Sequence, residues 1–266
     1  MAYPLLLHAK HQGATVTYQA FGGWIVPWRF GAFEHEYRVL RTGVGLMDYS
    51  SQALIELRGA DRVSFLHNLL TNDIKRRTPG TGCQAALLTA NAKVVADLVV
   101  FADADSLWLL CDANRAALIA QTLDRYLFSE QVTITNHERG WTALALQGPR
   151  TLDVVRHLLG PTASLAHPGD HTAASVEGIA VRWLRYSLAD EAGVVCLCPA
   201  EHGERLWVWL QQRGRAHGLG LVGWEALNTA RIEAGIAWYG MDMDEDNLLP
   251  ETGLEAVAVS ETKGCY

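Results

Sequence analysis

Between residues 53 and 135 a strand, a helix, consecutive strands, a second helix and a further strand follow one another, and this order restricts the fold more than any other feature. Residues 53–58 alternate in the manner of a strand, and Gly59-Ala60-Asp61 then leads into an apolar-periodic helix over 62–70 with Asp61 placed as its N-cap. Thr78-Pro79-Gly80-Thr81-Gly82 marks a turn. Strand-like runs over 83–88, 94–101 and 106–111, a helix over 114–127 and a strand over 131–135 complete a split β-α-β pattern. A second unit repeats this logic without repeating the sequence. It has a strand over 141–147, a helix over 150–159 and strands near 175–176, 181–186 and 194–198. A helix over 200–213, the segment 218–222 and a helix over 224–233 close it. The chain is therefore expected to be α+β, with two units of similar element order.

At 266 residues, with 49% hydrophobic and 19% charged residues, it can bury a substantial core. No apolar stretch approaches the roughly 18 to 20 residues of a membrane span, and the N-terminus lacks a signal pattern, so a cytoplasmic protein is expected. A net charge of -7 gives no global drive toward phosphate, and Lys75-Arg76-Arg77 beside a turn reads as a solvated loop, so no direct nucleic-acid binding is expected. The five cysteines form no C-x-x-C pair, and Cys196 and Cys198 read as buried thiols on one strand face.

Several blocks carry a family resemblance. Arg231-Ile232-Glu233-Ala234-Gly235 is followed by Tyr239-Gly240-Met241-Asp242-Met243-Asp244-Glu245. Upstream lie Phe21-Gly22-Gly23-Trp24, Gly45-Leu46-Met47-Asp48-Tyr49-Ser50, Leu69-Leu70-Thr71-Asn72-Asp73 and Leu144-Ala145-Leu146-Gln147-Gly148-Pro149, and the chain ends in Lys263-Gly264-Cys265-Tyr266. In this order they resemble the glycine-cleavage T-protein (aminomethyltransferase) superfamily, and the last four residues resemble its YgfZ-type folate-binding branch. The resemblance implies two interleaved ferredoxin-like units in an aminomethyltransferase folate-binding fold. It implies a discontinuous folate-binding domain over 1–50 and 140–266, an inserted domain over 51–139, and a chain that stops before a C-terminal β-barrel.

It also implies tetrahydrofolate, or a one-carbon derivative, as cofactor. A carboxylate pair of the family corresponds here to Ala96-Asp97, leaving Asp97 as the one acid that could orient a folate amine. Asn114 resembles an asparagine at a strand end, and Arg231 with Glu233 keep the R-x-E-A-G pattern; these join Asp97 as candidate folate contacts. The family's pterin-binding acid corresponds to Val195, and an arginine expected near the folate carboxylates is replaced by Glu225. Cys265 is the candidate reactive thiol, with Lys263 as the cation that would raise its thiolate fraction. The acidic run 242–246 lacks the pattern of a calcium loop and reads as a surface turn.

Two functions follow from the resemblance. One is a monomeric tetrahydrofolate-binding accessory protein whose partners are iron-sulfur enzymes or assembly proteins, including tRNA-modifying enzymes. The other is a tetrahydrofolate-dependent aminomethyl- or methyltransferase with Asp97 assisting.

Overall fold

A computed structural model of the chain describes residues 2–11, 15–160 and 165–263. It divides into two compact units, one built from Met1–Ser51 and Arg139–Ile236, the other from Gln52–Glu138 and Ala237–Tyr266. In chain order the first unit contributes β1 (Tyr3–Pro4), α1 (His8–His11), β2 (Thr17–Phe21), β3 (Trp24–Arg29), α2 (Phe33–Thr42) and β4 (Val44–Asp48). The second contributes β5 (Gln52–Arg58), α3 (Arg62–Leu69), β6 (Gly82–Leu88), β7 (Val94–Ala102), β8 (Ser106–Asp112), α4 (Ala113–Asp124) and β9 (Thr133–Asn136). The first then resumes with β10 (Trp141–Gln147), α5 (Thr151–Leu159), β11 (His171–Val176), β12 (Ile179–Arg185), β13 (Gly193–Pro199), α6 (Gly203–Gly214), β14 (Leu219–Leu221) and α7 (Trp224–Glu233). The short helix α8 (Glu255–Ala258) belongs to the second unit.

The first unit carries a three-stranded sheet in the order β1-β3-β2 and a six-stranded sheet in the order β11-β12-β13-β10-β4-β14. All five residues of β4 are buried, between antiparallel β10 and parallel β14. Glu36, only 2% exposed, secures this unit from α2. Its Oε1 accepts the N–H groups of Phe30 and Gly31 at 2.7 and 2.6 Å, and its Oε2 accepts that of Gly223 at 2.7 Å. One carboxylate thus satisfies donors that follow β3 and the residue that caps α7. At the other end of α7, Gly235 adopts φ +70, and the N–H groups of Gly235 and Ile236 bond the carbonyls of Ile232 and Arg231. This is a Schellman termination, which explains the glycine of the R-x-E-A-G block.

The second unit has one sheet in the order β6-β7-β8-β5-β9, antiparallel throughout. Alternation sends Ile55 and Leu57 of β5, Leu98 and Val100 of β7, and Leu107 and Leu109 of β8 into one core with Phe65 and Leu66 of α3 and Ile119 and Leu123 of α4. Asp61 precedes α3 as expected but makes no side-chain cap. Its Oδ2 instead accepts the N–H of Gln131 at 2.8 Å, because the loop into β9 needs that acceptor. Asp112, unread as a cap from sequence, caps α4 by accepting the N–H of Asn114 at 2.7 Å.

Of the described residues, 237–263 group with this second unit, whereas the family resemblance implied the discontinuous one. Backbone pairing decides the matter. The N–H of Val94 bonds the carbonyl of Asn247 at 3.0 Å, and the fully buried Thr71 hydroxyl donates to the carbonyl of Ala258 at 2.6 Å while accepting the N–H of Ala86 at 2.8 Å. Met243, Leu249, Leu254 and Ala258 close over Ala86 and Val94 as a separate apolar cluster. Among the described residues no helix is long and apolar enough to cross a membrane.

The Glu36 arrangement predicts that Glu36→Ala costs about 3 kcal/mol of unfolding free energy, since three buried or part-buried donors lose a charged acceptor. Urea unfolding measures this, and a loss below about 0.5 kcal/mol would show that water replaces the carboxylate freely.

Candidate functional site

The sequence-nominated residues fall in both units. Asp97, Asn114 and Lys263 stand in the second, Arg231 and Glu233 in the first, and Cys265 lies outside the described residues.

Asp97 sits on β7 opposite Ala86 of β6. The register of β7 against β8 pairs Val99 with Leu110 and Phe101 with Trp108, and Asp97 and Asp112 lie two residues beyond the Val99–Leu110 pair, close enough for the charge of Asp97 to act on Asp112. Ala96 and Cys111, one residue before each acid, belong to the core beneath α3 and α4. Both acids therefore stand on the opposite face of the sheet, Asp97 within β7 and Asp112 at the end of β8. This changes the meaning of the alanine at 96. Past the bulge at Val95, Ala96 faces the core and Asp97 faces away from it, so an acid at 96 would point into the apolar core. The acid sharing a face with Asp97 is Asp112, which sequence reading missed because it lies on another strand.

Both carboxyls are partly accessible yet densely surrounded by protein. Desolvation pushes Asp97 up to about 6, against a smaller opposing effect of its backbone hydrogen bond. Asp112 is also pushed up to about 6, chiefly by desolvation and further by the charge of Asp97, while the Asn114 N–H and Arg115 pull the other way. The Arg115 guanidinium does not neutralise them directly. Its Nη2 donates to the carbonyl of Val95 at 2.6 Å, and it stacks 4.2 Å from the ring centroid of Tyr239. Tyr239, first residue of the Y-G-x-D-M-D-E block, donates its hydroxyl to Glu245 at 3.1 Å and is raised to about 12, mainly by burial. That block forms a surface turn pinned by buried Met243, with Asp242 accepting the N–H of Trp238. Asn114 is exposed, and its backbone serves the Asp112 cap.

Arg231 is 3% exposed, and its guanidinium bonds Asn228 Oδ1 at 3.0 and 2.8 Å and the carbonyl of Ile236 at 3.1 Å. It is occupied in closing the end of α7. Glu233 faces away from it, taking the Tyr37 hydroxyl at 2.6 Å and the Arg41 guanidinium. Glu225 pairs with Arg29, whose Nη2 lies 2.6 Å from Oε1, and this hydrogen bonding holds the Glu225 carboxyl below its ordinary range. Val195 is fully buried in β13 opposite Ala145 and Leu184. Lys263 donates to the carbonyl of Leu70, and burial lowers its ammonium pKa, with Asp73 opposing. Burial likewise raises the Cys196 and Cys198 thiols, both in the core of the first unit.

The GCVT N-terminal domain family matches residues 7–262, and the chain belongs to that family. An aminomethyltransferase of Oceanobacillus iheyensis is 30% identical over 263 residues, covering 97% of this chain and 70% of that protein. One from Chlorobium luteolum is 28% identical over 244 residues, covering 90% and 67%. In fold, the chain superposes on the glycine cleavage system aminomethyltransferase T of Bartonella henselae with a TM-score of 0.81 at 23% identity, covering 92% of this chain and 66% of that one. The chain thus spans about two thirds of the length of these relatives, with a mixed α+β fold like that of the T-protein.

The raised carboxyl of Asp97 has a signed consequence for stability. Its ordinary value is 3.8 and its folded value about 6. Between these the folded chain keeps a proton that the unfolded chain releases, so stability falls as pH rises through that window. Asp97→Asn should therefore raise the unfolding free energy on the order of 2 kcal/mol near neutral pH and change it little below about pH 4. Urea denaturation at both pH values measures the difference, and a pH-independent effect would contradict the assignment.

Proposed function

We propose that the chain binds tetrahydrofolate and takes part in one-carbon transfer of the aminomethyltransferase kind. The single observation that supports this most is Asp97. It is a partly accessible carboxyl on the sheet face away from α3 and α4, opposite Ala86, with a pKa near the working range of a general acid or base. Family members named aminomethyltransferase span nearly the whole of this chain, which supports the same reading.

Bound tetrahydrofolate would supply N5 as the nucleophile that receives the one-carbon group. The chain's own contribution is narrower. Asp97 accepts a hydrogen bond from the folate amine and takes up its proton as the nitrogen becomes substituted. Surrounding protein limits water at the carboxyl, which keeps its proton affinity high. The donor set fits the amine end of a folate. It is poorer at the pterin edge, because Val195 offers no acceptor where the family places an acid.

That deficit favours a second reading, in which folate is bound without turnover by an accessory protein serving iron-sulfur enzymes. The Lys263-Gly264-Cys265-Tyr266 ending supports it too, since it resembles the YgfZ-type branch.

Anaerobic calorimetric titration of tetrahydrofolate, followed by an assay of aminomethyl transfer, separates the two. Binding with turnover is expected, with Asp97→Ala weakening binding by roughly tenfold or more through loss of a charge-assisted hydrogen bond. Binding without turnover would transfer the conclusion to the accessory reading, and absence of binding would overturn both.

A further inference from the structure

We propose that the first unit carries a separate ligand site, a pocket that takes a small aromatic carboxylate, with Arg213, His157 and His217 holding the anion and Trp209 the ring. The pocket is bordered by α5, β11, α6 and the single turn of 3-10 helix over Arg215–His217, all within that unit. Its volume is about 630 Å³, inside the roughly 300 to 1,000 Å³ range of small-molecule sites. Leu158 and Leu159 of α5 and the buried Val176 of β11 give it an apolar wall.

The polar side chains that line it are not spent on the fold. Among the described residues, no hydrogen bond or ion pair engages the side chain of His157, Gln212, Arg213 or His217. Neighbouring cations are engaged: Arg156 with Asp153 at 3.1 Å, Arg205 with the carbonyl of Glu177 at 3.2 Å, and Lys10 with Glu204 at 3.8 Å. His157 and His217 come from different elements, yet their ring centroids stand 3.9 Å apart with the planes tilted by 49°. Imidazole donors are thereby set side by side, and the planar fork of Arg213 matches a carboxylate. A metal ion fits less well. Arg213 lines the same pocket and would repel it, and no group of three or more His, Cys, Asp or Glu among the described residues could hold one.

Charge is graded along the pocket. Glu177, Trp209 and Gln212 also border a neighbouring cavity of about 280 Å³ beside Lys10 and Glu204, whereas His157, Arg213 and His217 border only the first. The cation-bearing end therefore lies away from Glu177, the one carboxylate lining the pocket, and a ligand with a single anionic head is favoured over one charged at both ends. Half-buried Trp209 offers an indole surface against which an aromatic ring packs.

No residue of this pocket is among those assigned to folate, so the inference stands apart from the folate reading. Calorimetric titration of the whole chain with 2-naphthoate, its neutral amide and inorganic phosphate tests it. The carboxylate is expected to saturate one site and to bind at least tenfold tighter than either comparison compound. Arg213→Gln should weaken it tenfold or more through loss of a charge-assisted hydrogen bond. Arg215→Gln, an exposed neighbour outside the pocket, should change it less than twofold. Both positions are exposed, and unchanged urea unfolding of the variants would show that the fold is intact. Absence of saturable binding would overturn the site. Equal binding of the amide would overturn the anion recognition, equal binding of phosphate the aromatic part, and equal losses in the two variants the assignment to Arg213.

Discussion

The pairing of β4 with β10 is the constraint on which the rest depends. Gly45 to Asp48 run antiparallel to Leu144 to Gln147, joining segments separated in sequence by the whole inserted stretch of the second unit. Closing so long a connection costs on the order of 4 kcal/mol in loop entropy, a cost that rises only logarithmically with length. Complete burial of β4 and its additional pairing with β14 more than offset it. Past the end of the ladder, Ser50 Oγ donates to the carbonyl of Ala143 and accepts the N–H of the same residue, so the point where the chain leaves the first unit is itself tied down. An insertion between two sheet neighbours is tolerated because its ends start and finish at adjacent strands.

Several residues of the family blocks have architectural work that their positions alone do not disclose. Gln147, fully buried, donates to the carbonyl of Tyr186 and accepts the N–H of Leu188, holding the loop between β12 and β13. Gly148 follows at φ +130, and a side chain there would place a carbon 2.5 Å from the carbonyl oxygen of Gly43. Arg231 closes the helix that it belongs to. These residues therefore secure loops and helix ends.

The acids show how a strand's periodicity decides which side chains share a face. Two adjacent acids on one strand point to opposite faces, whereas two acids on adjacent strands can point to the same one. Alanine at 96 is compatible with the core because Cys111 and Leu98 share that side. The face away from that core carries the carboxyls at 97 and 112, each made harder to ionise by surrounding protein and, for Asp112, by the other.

From sequence alone, the α+β class, the elements of the second unit and the termination of α7 at Gly235 were readable, because each rests on local periodicity or a local backbone requirement. The alternation of β5, β7 and β8 and the turn around Gly80 are cases where neighbours in sequence carry the signal. The assignment of 237–263 to the second unit, the capture of Glu225 by Arg29 and the placing of Asp97 and Asp112 on the sheet face away from the core were decided by tertiary structure. Each depends on contacts between segments distant in sequence, and a period-2 pattern shows that a strand has two faces without showing which residues of another strand share them.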